Sequence, residues 1–252
     1  MVDQKVLAAI NLHAVLRNME DLCRVDQRAK TAIAGENIRI RFSVPSIDSG
    51  LLEFKDGECR AYRNIKACDM NLHFSSPEHF NLMIEGKKNP LPTKGFSHVG
   101  FLKNKFTELA DLLTLYLRPS EEMLKGDKDF RDKSTLLTAY TAFFALSEIA
   151  NYDRMGIVNA KRIEDGVISI EIKDTAAIYI IVKDGHLTTV KGKYDSPSAI
   201  MLFEDIDIAA GILGGTLDSY ACIGAGKLRL SGRIPMLDNL NKILSIVAAY
   251  LS

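Results

Sequence analysis

The sequence predicts an α+β fold built twice, as two tandem modules that each pack helices on one face of a sheet. Three observations predict it. A Lys-Asp-Gly phrase recurs at a spacing of 128, as Phe54-Lys55-Asp56-Gly57 and Val182-Lys183-Asp184-Gly185. Strand-like runs arrive together in each half while helical periodicity sits at the ends, the order expected of α+β rather than α/β chains. A chain of 252 residues also divides into halves that can each bury roughly two-thirds of their unfolded surface.

Each Asp-Gly lies between apolar runs, Leu51 to Phe54 then Cys59 to Tyr62, and Ile178 to Val182 then Leu187 to Val190. Asp-Gly suits a two-residue hairpin turn because both positions accept positive φ. A further strand follows in each half, Met70 to Phe74 against Ala199 to Phe203. Amphipathic segments come next, Pro77 to Gly86 and Asp205 to Gly215, then glycine-bounded strands, Gly95 to Leu102 and Gly224 to Leu230. Closing helices carry apolar residues at steps of three and four: Phe106, Leu109, Leu113 and Tyr116, stopped by Pro119, and Leu237, Leu240, Leu244, Val247 and Leu251. Opening helices show Val15, Met19 and Leu22 in the first half, and Leu136, Tyr140, Phe143, Phe144 and Ile149 in the second. The charged stretch Pro119 to Lys133 reads as a solvated linker. The expected organisation is a module over 1–120, a linker over 121–133 and a second module over 134–252.

Composition bounds the function. A formal net charge of zero, with no basic run interleaved with aromatics, argues against a nucleic-acid partner. Leu136 to Ala150 is interrupted by Thr138, Thr141, Ser147 and Glu148, short of the ~20 apolar residues of a membrane span. Residues 1–10 carry Asp3 and Lys5 and do not read as a secretion signal. With Cys23, Cys59, Cys68 and Cys222 scattered, the chain reads as cytoplasmic with reduced thiols, a Cys59–Cys68 bridge being the alternative.

Candidate chemistry is sparse. His73, His79 and His98 fall in the first half, where the second half has Leu202, Ile208 and Lys227. They lack short ligand spacing, so no metal or other cofactor is expected. Glu204, Asp205 and Asp207 sit where a helix begins and read as caps rather than an acid–base pair. Gly224-Ala225-Gly226-Lys227 fails as a phosphate loop because Ala221 stands at the first glycine position and a strand follows. No serine lies in a Gly-x-Ser-x-Gly turn, and Cys222 has no histidine near it in sequence. What remains is apolar.

Several phrases, best in the second half, resemble the sterol-carrier-protein type-two family of lipid-binding domains. A strand runs into an acidic helix start at Leu202-Phe203-Glu204-Asp205, and a short helix ends in Gly214-Gly215. A Gly-Lys-Leu-Arg-Leu-x-Gly strand, Gly226 to Gly232, leads to a leucine-rich helix. The first half keeps Phe74, Ser75, Ser76, Phe80 and Gly86, but has Ser97-His98-Val99 in place of Gly-Lys-Leu. The resemblance implies a five-stranded, mainly antiparallel sheet with an apolar tunnel beneath its helices. Such a tunnel takes a fatty acyl chain, acyl-CoA or sterol without catalysis. The implied lining is Phe203, Ile208, Ile212, Leu213, Ile223, Leu230, Leu240, Leu244 and Val247, with Gly211, Gly214 and Gly215 letting one lip adjust. Two alternatives stand beside it: an assembly module with filled cores, and an enzyme using His73, His79 or Cys222.

Overall fold

The computed structural model describes residues 2–213 and 215–251, and the chain forms two compact units, one over 3–137 and one over 138–252. The first opens with α1 (Gln4–Ile10), whose N-cap Asp3 accepts from the Lys5 and Val6 N–H groups. A π turn (Asn11–Val15) and a 3-10 turn (Leu16–Asn18) carry the helix into α2 (Met19–Val25). Met19 and Leu22 are buried as the stripe predicts and Val15 half-buried, but Ile10, Leu12 and Leu16 are buried too. After α3 (Gln27–Ala32) come β1 (Asn37–Ser43), β2 (Gly50–Lys55), β3 (Glu58–Arg63), β4 (Met70–His73), α4 (Pro77–Ile84) and β5 (Leu91–Lys94). The unit continues with α5 (Val99–Phe101), a π turn (Leu102–Phe106), α6 (Thr107–Leu117) and α7 (Glu121–Gly126). The sheet order is β3-β2-β1-β4-β5, with every pair antiparallel except β1–β4. Ile38, Ile40, Phe42, Phe54, Met70 and Leu72 share a core with Phe106, Leu109 and Leu113.

Helix α8 (Lys128–Tyr152) contains the boundary between the units. From Ala139 to Ala150 every residue of it is buried, wider than the stripe read from sequence. The second unit follows with α9 (Arg154–Ala160), β6 (Gly166–Ile172), β7 (Ala176–Lys183), β8 (His186–Lys191), β9 (Ala199–Phe203), α10 (Ile206–Leu213), α11 (Ser219–Gly224), β10 (Leu228–Gly232) and α12 (Ile234–Leu251). Its sheet order is β8-β7-β6-β9-β10, again antiparallel except at the β6–β9 pair. The two units therefore share one strand order and one pattern of directions. Both hairpin turns take the backbone that Asp-Gly suits: φ is 50° and 84° at Asp56 and Gly57, and 52° and 72° at Asp184 and Gly185.

One expectation is corrected. Gly95 to Leu102 is not a strand: the edge strand beside β4 is β5, and the chain then turns into a helix. Gly95 makes that turn with φ of 81°, and a Cβ there would press on the Asp69 carbonyl and the Met70 backbone. Val99, Leu102, Phe106 and Leu109 continue the 3,4 spacing of α6, so the apolar pattern of this segment is helical. The charged stretch 121–133 takes helical form, in α7 and the start of α8. Ser120 caps α7, and Asp127 accepts from the Asp129 and Phe130 N–H groups at the start of α8. Its charges form the exposed faces, with Lys125–Glu121 and Lys133–Asp129 pairs one turn apart. Phe130 turns inward and stacks on Tyr116 at 4.8 Å.

Candidate functional site

The residues predicted to line an apolar site begin on β9. Alternation along that strand turns Ala199, Met201 and Phe203 to the buried face, and Phe203 has no exposed surface. Asp205 then starts α10 by accepting the Ile208 N–H at 2.8 Å, as the capping reading expects. Helix α10 buries Ile208, Ile212 and Leu213. Helix α12 buries Leu240, Leu244 and Val247, together with Met236, Leu237 and Ile243, and packs on α9, α10, β9 and β10. Seven of the nine predicted lining residues thus lie on the facing sides of packed elements. The Phe143 ring of α8 stands 6.2 Å from that of Phe203.

The other two differ. Leu230 is half-buried on β10. Ile223 is 37% exposed, because α11 turns the adjacent Cys222 inward and successive helical side chains diverge by roughly 100°. Leu217 and Tyr220 are exposed beside it. Gly211 serves close approach rather than adjustment, since any Cβ there would collide with the Leu217 side chain. The Thr216 and Leu217 N–H groups both donate to its carbonyl, at 2.8 and 2.9 Å. Gly215 has a positive φ of 71°, and Gly214 lies outside the described residues.

The histidines named from sequence hold structure or face solvent. His79 Nδ1 accepts the Ser75 N–H at 3.2 Å, so its Nε2–H donates to the Asn89 carbonyl at 3.0 Å. His73 is exposed at the end of β4, and His98 is half-buried in the turn after Gly95. Among the described residues, no group of three or more His, Cys, Asp or Glu side chains could hold a metal ion. All four cysteines are free and buried, so Cys59 and Cys68 form no bridge.

Sequence reasoning passed over two features of the first unit. His13 is 4% exposed and bonded through Nε2 to the Asp48 carbonyl at 3.0 Å. Burial, with the Arg63 charge adding to it, drives its pKa down to about 3 against the opposing pull of that carbonyl. A neutral His13 donates from Nε2. The second feature is a groove of about 360 Å³ on the outer face of the sheet, where residues 44–49 fold beside Arg41, Asn64 and His73.

Comparison with known structures finds matches to the fold. Sterol carrier protein 2 domains are among them. The sterol carrier protein domain 2 of Helicoverpa armigera is 14% identical, with 44% of this chain and 88% of that chain covered at a TM-score of 0.37. A UbiJ-SCP2 ubiquinone synthesis protein is 14% identical over 44% of this chain and 96% of that one, at 0.35. Sterol carrier protein 2 from Yarrowia lipolytica, in its apo form, is 15% identical over 45% and 89%, at 0.32. These likenesses are to the same family that the sequence phrases resemble, and they concern the fold alone. Comparison with family models and with curated proteins finds no match. Among the described residues, no helix is long and apolar enough to cross a membrane.

Proposed function

We propose that the second unit binds the apolar chain of a lipid-like ligand between its sheet and helices α10 and α12, without catalysis. The observation that carries this is the facing of Ile208, Ile212 and Leu213 on one helix and Leu240, Leu244 and Val247 on another over Phe203. The named lining carries no titratable group, which suits a hydrocarbon and no proton transfer. Each methylene taken from water would contribute ~0.8 kcal/mol. The exposed Leu217, Tyr220 and Ile223 add apolar surface along the loop and helix that follow α10. We also infer that the chain arose by duplication, for which the common strand order and the paired Asp-Gly turns speak. The four free thiols suit a reducing, cytoplasmic setting.

Titration with a fluorescent fatty acid tests the reading on the wild type and on Leu244→Trp. The expected result is saturable wild-type binding that falls at least ~10-fold in the variant, with the fold retained. Absence of wild-type binding, with the variant losing ~1–3 kcal/mol of stability, would mean a solid core and the assembly reading instead.

A further inference from the structure

We propose that the groove on the outer face of the first unit's sheet binds a small oxyanion, a carboxylate or phosphate group, on the guanidinium of Arg41. Alternation along β1 sends Ile38, Ile40 and Phe42 into the core and leaves Arg39, Arg41 and Ser43 on the outer face. Other arginines around this face have carboxylate partners. On this face Arg39 pairs with Asp69 at 3.5 Å and Arg60 with Glu58 at 3.2 Å, while Arg63, which the register places on the core side with Gly50 and Phe42, pairs with Asp48 at 4.0 Å. Arg41 does not. Its Nε and Nη2 donate to the Ser49 hydroxyl at 3.3 and 3.2 Å, and among the described residues it has no ion pair.

A half-buried guanidinium set against a neutral oxygen keeps a full positive charge with no ion-pair partner of its own among the described residues. Arginine stays protonated at any relevant pH, and its remaining N–H groups match the spacing of two oxygens on one oxyanion. Other donors line the same groove. Ser49 Oγ accepts from Arg41, which leaves its own O–H to donate. Asn64 Oδ1 accepts the Ser49 N–H at 3.2 Å, which turns its amide nitrogen to donor use. His73 also lines the groove. Ser43 contributes no donor, because its hydroxyl is given to Asn71 Oδ1 at 2.8 Å. Asp48 is the acid of the lining, and its carboxylate pairs with Arg63 while its carbonyl holds His13.

The second unit shows that the fold itself does not require this cation. With the two Asp-Gly hairpins aligned, Arg41 corresponds to Ser169, Ser43 to Glu171, and the His73 opposite Ser43 to the Leu202 opposite Glu171. Ser169 is fully buried and donates to Glu171 at 3.1 Å. Residues 173–175 suffice to join β6 to β7, whereas 44–49 join β1 to β2 and wall the groove. A guanidinium without a carboxylate partner, a cluster of donors and a longer loop therefore occur together in one unit, whereas at the matching place in the other Glu171 takes the Ser169 hydroxyl and pairs with Lys193 at 3.6 Å. A groove of about 360 Å³ has room for an oxyanion carrying a small organic substituent.

The test is amide NMR of the full chain titrated with sodium acetate and, separately, with sodium phosphate, at ionic strength held constant with chloride. Saturable shifts confined to residues 43–49 and Asn64 are expected, and the anion that saturates first identifies the preferred group. Arg41→Gln should weaken binding at least ~10-fold, the loss of a charge-assisted pair. Asn64→Asp keeps the acceptor for Ser49 and tolerates the turn backbone while placing a negative charge at the mouth. It should abolish binding, and it keeps the test decisive if Arg41→Gln does not fold. Shifts that stay linear for both anions, or binding unchanged in whichever variant folds, would overturn the site.

Discussion

Lowering the pH below neutrality should destabilise the first unit through His13. In the folded chain the His13 pKa is about 3, against 6.5 for an unconstrained imidazole. Above pH 6.5 neither state binds the proton, so the burial is harmless. As pH falls through 6.5 the unfolded chain takes up a proton that the folded chain refuses, and stability drops until the folded group also titrates near pH 3. The slope over that window is ~1.4 kcal/mol per pH unit, a loss on the order of 3 kcal/mol between pH 6 and 4. Urea unfolding followed by circular dichroism at pH 7, 6, 5 and 4 measures it. His13→Gln carries no titrating group, so the wild-type slope should exceed the variant's by about that amount whatever the variant's absolute stability. Parallel slopes for the two proteins would refute the argument.

Two further expectations concern the same unit. The Tyr116 hydroxyl donates to Asp26 Oδ2 at 2.7 Å, joining α6 to the cap of α3. Burial works to raise the Asp26 pKa, but hydrogen bonds from Arg28 and Tyr116 outweigh it and hold the carboxyl well below the usual range. Its stabilisation is thus present above the unfolded value near ~3.9 and fades as pH falls through the folded one. Tyr116→Phe should cost ~1.5–3 kcal/mol at pH 7, read by urea unfolding, and a cost under ~0.5 kcal/mol would contradict it. Burial, and next the adjacent Cys23 thiol, push the Cys59 thiol up. A disulfide reagent should therefore label the native protein slowly and all four cysteines promptly in denaturant, and rapid native labelling of Cys59 would contradict this placement.

What the sequence discloses depends on whether the deciding interaction is local. Asp56-Gly57 and Asp184-Gly185 are readable because the turn needs only the φ freedom of its own two residues. The stripe from Phe106 to Tyr116 is readable because one helix face sees one core. Gly95 misleads, since a glycine that bounds a strand and one that turns left-handed out of it look alike until Asp69 and Met70 are seen beside it. Strand β5 carries Pro92 and mostly exposed residues, so it shows no alternation at all. Ile223 and Cys222 cannot be phased within a helix as short as α11. The outer groove was invisible for another reason: that Arg41 meets Ser49 while its neighbours meet carboxylates is a fact of tertiary placement.

The central claim is that the second unit holds an apolar ligand, and the most direct measurement is mass spectrometry of organic extracts from natively purified full-length chain. The account predicts a lipid-like molecule that co-purifies with the wild type in constant molar proportion and is depleted in extracts of Leu244→Trp. Extracts of the wild type that match those of an unrelated purified protein, with Leu244→Trp unchanged, would contradict it.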